Sequence, residues 1–293
     1  MLMRERSFAL VCLLALLWGA SFPLIKVAVE TLPPITIAAL RALLGGMLLL
    51  ALLGPRAPLL WRSGLPRGAY VKQAMFNCVL PWILVAWASR SIDSALTSIL
   101  NSLSPIFIFV ITWAITRHEA ATARKFAGIV LGLAGVVVII GPDALSGMGT
   151  HTLAELACVA GSLAYAVAAI VGRRFDRVPP LVPATGATLV AAAILLPLAI
   201  AIEQPWLAQP SARSLVAVAG LALFSTAAAF VVYFHLLATI GSIATASQAY
   251  LRILVGVGLG ISFLGERLSA PAAAGLVLVV AGVVAMTWPA ARR

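Results

Sequence analysis

Asparagine, glutamine and arginine recur at helical spacing in stretches of this chain that are otherwise apolar. Ser94, Ser98, Asn101 and Pro105 follow one another at intervals of four, three and four, which places them on one face of a helix. Gly241, Thr245, Gln248 and Arg252 repeat those intervals 147 positions further on. Such groups hold polar solutes by hydrogen bonding, and a guanidinium can grip a carboxylate with two parallel bonds. Inside lipid a polar stripe must face protein or a water-filled cavity. A cavity between the two halves of the chain is one destination. The other is helix–helix hydrogen bonding, with Asn101 and Gln248 acting as glue.

Further candidates lie in the same apolar stretches. Trp18 and Ser21 flank Gly19 and precede Pro23, where a helix can break and expose its backbone groups. Asn77 is followed by Pro81 and Trp82, and Tyr165, Tyr233, His235 and Tyr250 are rings with a polar atom. Each suits a solute site, and each equally suits packing or an interfacial belt. Trp61, Trp206 and Trp288 stand near stretch ends and read as belt residues. Lys26 and Arg41 lie toward one membrane face, where they either snorkel to headgroups or line a vestibule. Arg252 is about 14 Å into its stretch at 1.5 Å per residue, beyond easy snorkelling. It needs a carbonyl or tyrosine partner within the protein, or the carboxylate of a bound solute. Glu119 and Glu266 precede helix starts at Thr122 and Ser269, where negative charge complements the helix dipole. They read as structural.

Bond-making chemistry is missing. No Walker A loop, HExxH or GxSxG is present, and His118, His151 and His235 are scattered, so no catalytic residue, cofactor or metal is expected. Cys12, Cys78 and Cys158 sit in apolar runs as small packing residues. No Asp or Glu lies deep in an apolar stretch, Asp93 and Glu155 being near stretch ends. That favours gradient-driven movement over proton antiport, with His235 or an end acid as the alternative proton carrier.

The elements that position these residues follow from composition. Of 293 residues 62% are hydrophobic and 10% charged, with mean hydropathy +1.09; a water-soluble domain has about 25% charged residues. The chain reads as an all-α integral membrane protein. A span needs about 20 apolar residues, and ten such stretches occur: Phe8–Val29, Pro34–Leu53, Ala69–Ser89, Asp93–Thr116, Ala123–Ile140, Thr152–Val171, Leu181–Ile202, Leu215–Thr239, Ile243–Leu264 and Ala270–Thr287. The first is too long for a signal-peptide core. The 20 Lys and Arg against 9 Asp and Glu would suit nucleic acid if gathered on one face. Instead, all but Arg90, Arg213, Arg267, Lys26, Arg41 and Arg252 fall in segments on the N-terminal side. The positive-inside rule then makes both termini cytoplasmic and excludes nucleic acid as a partner.

Residues 118–142 and 265–289 are identical at 11 of 25 positions at an offset of 147, including Glu119/Glu266, Gly128/Gly275, Gly135/Gly282 and Pro142/Pro289. Pro33-Pro34 and Pro179-Pro180 repeat at 146. Two repeats are expected, 1–146 and 147–293. Five spans in each is an odd number, so the second half enters the membrane inverted, an arrangement of secondary transporters with a midplane site.

Leu17-Trp18-Gly19-Ala20-Ser21-Phe22-Pro23 with Lys26, Arg41-Ala42, and Gly265-Glu266-Arg267-Leu268 resemble the drug/metabolite transporter superfamily in its ten-helix EamA-type branch. The resemblance covers essentially the whole chain. It implies a multi-pass inner-membrane carrier exporting amino acids or related metabolites by alternating access, with the lipid bilayer and a small-molecule substrate as partners. Such proteins usually carry a proline midway along the span before the Gly-Glu motif; the first half has Pro105, and the second has Arg252 there. Cavity-lining candidates are Trp18, Ser21, Asn77, Trp82, Ser98, Asn101, Tyr165, Tyr233, His235, Thr245, Gln248, Tyr250 and Arg252. Duplication within one chain makes a monomer sufficient. Alternatives are a drug or nucleotide-sugar carrier, a proton-coupled antiporter, a channel, or a membrane enzyme, which would need clustered acid–base groups.

Overall fold

In lipid every backbone N–H and C=O must find an internal partner, so apolar runs of this length fold as helices. The computed structural model describes residues 2–62, 64, 66–116, 123–145, 150–175, 178–246 and 248–287, and among them all regular structure is helical. The helices are α1 (Leu2–Gly19), α2 (Ser21–Ala28), α3 (Pro34–Leu53), α4 (Leu59–Arg62), α5 (Arg67–Ala74), α6 (Leu80–Ala88), α7 (Ser94–Asn101) and α8 (Ser104–Ile111). They continue as α9 (Ala123–Leu145), α10 (Thr150–Gly172), α11 (Leu181–Glu203), α12 (Ala212–Ala222), α13 (Ala229–Ala246), α14 (Gln248–Leu264) and α15 (Ala270–Thr287).

Seven helical segments are long and apolar enough to cross a membrane: Ser7–Ala28, Pro34–Arg56, Arg67–Ala88, Ser94–Ala114, His151–Phe175, Leu181–Glu203 and Ala212–Ile240. Phe126–Ile139, Leu251–Leu264 and Ala270–Gly282 are shorter apolar helical stretches at the three remaining expected spans. One boundary moves. α13 runs on to Ala246, past the expected end at Thr239, and α14 is described from Gln248. The lone Gly241 does not interrupt α13, since glycine inside a helix costs only about 1 kcal/mol. Large apolar side chains cover the outside, among them Phe8, Leu52, Phe126, Val137, Phe263 and Val277. Lipid, not water, is the solvent for that surface.

Proline sets the bends. Pro23 and Pro105 have no N–H to offer the carbonyl four residues back, and the helix breaks between α1 and α2 and between α7 and α8. Ahead of Pro81 the turn Met75–Val79 widens to π geometry. A second π segment, Leu223–Ala228, joins α12 to α13; there Thr226 Oγ1 donates to Leu221 C=O at 3.0 Å.

Helices pair closely as α9 with α15, α3 with α11, α6 with α10, α14 with α1 and α7, and α12 with α2. Glycine permits the first of these. A Cβ on Gly282 would lie 2.5 Å from Gly128 O and 2.6 Å from Gly132 N.

At the end of the bundle where α2 stops, polar ties join the segments. Lys26 Nζ donates to Ile92 C=O at 2.8 Å and lies 3.9 Å from Asp93 Oδ1. It is therefore tied to the α6–α7 connection and is not among the residues that line the central cavity described below. Ser214 Oγ donates to Val27 C=O at 3.0 Å and accepts from Thr31 Oγ1 at 2.8 Å. Glu203 accepts from Ile35 N at 2.9 Å and Thr36 N at 2.7 Å, capping α3. Glu266 is structural as expected, but on a different helix: it accepts from Ser94 N at 2.8 Å and Ala95 N at 2.9 Å, capping α7. Gly265, at φ +67°, ends α14 in the left-handed region that favours glycine and turns Glu266 back toward α7. Ser269 does cap α15, accepting from Ala272 N at 3.3 Å. Glu119, Thr122, His118 and Trp288 lie outside the described residues, as does the side chain of Trp61.

Candidate functional site: a central cavity with two arginines

The α7–α8 bend and the π turn at Asn77 face one cavity. Its volume is about 70 Å³ measured for the centres of water molecules, room for several, since one needs roughly 10–15 Å³. Trp18, Ser21, Asn77, Trp82 and Asn101 line it, as do Tyr165, Tyr233, Thr245, Gln248 and Arg252. Two of the remaining expected residues stand elsewhere. Ser98 is buried where α7 meets α14, its Oγ occupying the space a Cβ on Gly256 would need. His235 faces the outer surface: Tyr233 points inward, and two residues turn a helix by about 200°. The side chain of Tyr250 lies outside the described residues.

Arg252 is 6% exposed. Its Nη2 donates to Asn101 C=O at 2.9 Å and reaches Ser102 Oγ at 3.5 Å. Asn101 C=O is free to accept because Pro105 leaves it without its helical donor. It also accepts from Ser162 Oγ at 3.0 Å and Ser104 Oγ at 3.2 Å. Gly19 lets α1 approach, a Cβ there falling 2.6 Å from Val255 Cβ and 3.0 Å from Arg252 O. The guanidinium carbon sits 5.8 Å from the Phe22 ring centre.

Arg41 corrects the expectation of a snorkelling or vestibule residue. It is 5% exposed and lines the same cavity, seven residues or about 10 Å along α3. Its Nε donates to Thr226 Oγ1 at 2.7 Å and its Nη2 to Ser225 C=O at 3.1 Å. The guanidinium lies over Trp82, 4.0 Å from the ring centre, within cation–π range. The same Ser225 C=O accepts from Trp18 Nε1 at 3.2 Å, and Ser225 Oγ donates to Leu17 C=O at 2.7 Å. The π turn thus clips the broken first span to α3.

Aromatic rings close the wall. Trp18 lies 5.1 Å from Tyr233 and 6.4 Å from Phe230, and Trp82 lies 6.1 Å from Phe230. Among the described residues, four polar atoms at the cavity are buried with no partner: Asn77 Nδ2, Asn101 Nδ2, Gln248 Oε1 and Arg252 Nε. No acidic side chain lines the cavity among the described residues. A cation at the bilayer centre costs about 2.5–3.5 kcal/mol on insertion scales, and here two buried guanidiniums lie within spans. Nothing in this arrangement resembles an acid–base or nucleophile pair.

Arg41 had a readable signal. Gly45 stands four residues on, the same face of α3, and a Cβ there would meet Thr226 Cγ2 at 2.7 Å. A small residue beside an in-span arginine marks a face turned to protein. Phe230, three residues before Tyr233, was missed for want of a polar atom.

The profile of the EamA-like transporter family matches residues 6–141 and again 152–288. Among curated proteins, the uncharacterized inner membrane transporter YedA of Escherichia coli (strain K12) is 29% identical over 284 residues, covering 94% of this chain and 88% of that one. The uncharacterized transporter YvbV of Bacillus subtilis (strain 168) is 26% identical over 283 residues, covering 96% and 91%. One solved crystal structure superposes with a TM-score of 0.69 at 22% identity, covering 97% of this chain and 96% of the other. That likeness concerns the fold.

Proposed function

This chain belongs to the EamA-like transporter family, and on that premise we propose that it moves small carboxylate-bearing metabolites, amino acids among them, out of the cytoplasm. It is a multi-pass membrane transporter, not an enzyme. The cargo binds in the central cavity, and two inverted five-helix repeats, 1–146 and 147–293, rock to expose it alternately to each side. Both termini are cytoplasmic in this reading, which the Lys/Arg distribution supports.

The observation that carries the proposal is Arg252, buried at the cavity with its Nε unpartnered. A guanidinium offers the forked donor pair that a carboxylate accepts. The repeat reading draws support from the packing. Exchanging the two halves turns the pairs α9–α15, α3–α11 and α7–α14 into themselves, and α6–α10 into the contact of α13 with α1. The π segments Met75–Val79 and Leu223–Ala228 fall at matching places. In this reading the ties around Lys26, Glu203 and Glu266 close the outer end, and they must part for release there. A cavity holding only several waters favours a small metabolite over a drug or nucleotide sugar.

Proteoliposomes loaded with unlabelled amino acid test this directly: external labelled amino acid accumulates by counterflow if the chain is a carrier of this class. One observation favours a proton-coupled variant. Glu155, expected near a span end, is 1% exposed within α10.

A further inference from the structure

The cavity has a charge that an amino acid does not answer. Arg41 and Arg252 both line it, each is almost fully buried, and neither has an acidic partner among the described residues. Their hydrogen-bond partners are neutral: Thr226 Oγ1 and Ser225 C=O for one, Asn101 C=O and Ser102 Oγ for the other. Neutral carbonyls satisfy N–H groups but leave the two positive charges uncompensated in a low-dielectric interior. A zwitterion brings one carboxylate and one ammonium. The carboxylate could answer one arginine, and the ammonium would then meet a lining with no carboxylate and a second cation.

We propose that the cavity is built for a small organic anion with two acidic groups, one received at Arg252, which the α7–α8 break holds, and the other at Arg41, which the α12–α13 π turn holds. The inference rests on the carrier reading above and narrows its cargo to dicarboxylates, the acidic amino acids ranking above the neutral ones. The unpartnered donors point the same way: Arg252 Nε, Asn77 Nδ2 and Asn101 Nδ2 all offer hydrogens at the cavity. The two arginines sit on different spans, one in each half of the chain, so a dianion bridging them also ties the halves together. The aromatic lining of Trp18, Trp82, Phe230 and Tyr233 suits an apolar carbon chain between the acid groups. The Arg41 guanidinium carbon lies 4.0 Å from the Trp82 ring centre, a cation–π contact that restrains the guanidinium.

Full-length protein in detergent at pH 7 is titrated with malonate, succinate, glutarate, glutamate, acetate and leucine, read by tryptophan fluorescence and thermal shift. At that pH the carboxylates are ionised. At least one dicarboxylate binds saturably, about tenfold or more tighter than acetate or leucine, and Arg41→Gln and Arg252→Gln each bring it down to the acetate level. Arg41→Lys, which keeps the charge and loses the fork, serves if Arg41→Gln does not fold, and it gives an intermediate affinity. Leucine binding as tightly as every dicarboxylate overturns the inference, as does an unchanged dicarboxylate preference in the Arg41 variants or no binding by any dicarboxylate. Leucine counterflow in liposomes alongside any of those results leaves the carrier reading standing, so the two fail separately.

Discussion

Arg252 Nη2 donates to the backbone carbonyl of Asn101 at 2.9 Å, and that carbonyl is available because Pro105 four residues later has no N–H. An in-span cation in the second half is thus held by a helix break in the first.

Pro105→Ala supplies the missing N–H and lets α7 and α8 run together. The Asn101 carbonyl then bonds within its helix and releases Arg252. The expected result is a protein that melts no lower than the parent in detergent yet transports several-fold more slowly. Unchanged flux would mean that the break has no part in holding cargo.

Arg252→Met removes the fork and should abolish transport of carboxylate-bearing solutes while the protein stays monodisperse. Arg252→Lys should be partly active, keeping charge and losing bidentate geometry. Normal transport by Arg252→Met would leave the arginine a structural residue.

Asn101→Leu and Gln248→Leu replace cavity-lining amides, each with a polar atom unpartnered in the protein, by apolar groups of similar size. Such a change is close to neutral for stability, so transport should fall while the melting temperature holds. Full transport in both variants would return these residues to helix packing.

α9 and α15 touch backbone to backbone, so Gly282→Leu, with no space for a Cβ beside Gly128 and Gly132, should yield aggregated protein on extraction. Gly258→Leu should extract normally, because nothing lies within 4 Å of a Cβ there. Equal behaviour of the two would show that this contact does not govern assembly.

Much of the cavity was legible because a polar residue inside an apolar run has few places to go. Trp18, Asn77, Asn101, Gln248 and Arg252 were found that way. The rest needed tertiary information. His235 carries the same polar signal as Tyr233, and only helix phase separates them. Ser98 shares its helix face with Asn101, but the facing Gly256 closes over it. Arg41 lies near enough to a span end for snorkelling to look sufficient, until the π turn at Ser225 and Thr226 supplies its partners. Glu266 was given to its own helix, since no sequence pattern reports that Gly265 turns it toward α7. Helix count and apolar spans were readable because span length is fixed by the bilayer.

Coupling separates the gradient-driven reading from a proton-driven one. Flux down a substrate gradient should continue with no imposed proton gradient, and Glu155→Gln should leave it within about twofold, a shift smaller than 1 kcal/mol. Flux that appears only with a proton gradient, and that Glu155→Gln eliminates, would make Glu155 the proton carrier.

The central claim is that this chain carries solute through the cavity that Arg41 and Arg252 line. Counterflow in proteoliposomes tests it most directly, using labelled succinate outside and unlabelled succinate, leucine or buffer inside. The account predicts saturable labelled uptake that internal succinate accelerates more than internal leucine does, and that is lost in Arg252→Met. Uptake that rises linearly without saturation, or that is the same in Arg252→Met as in the parent, would contradict it.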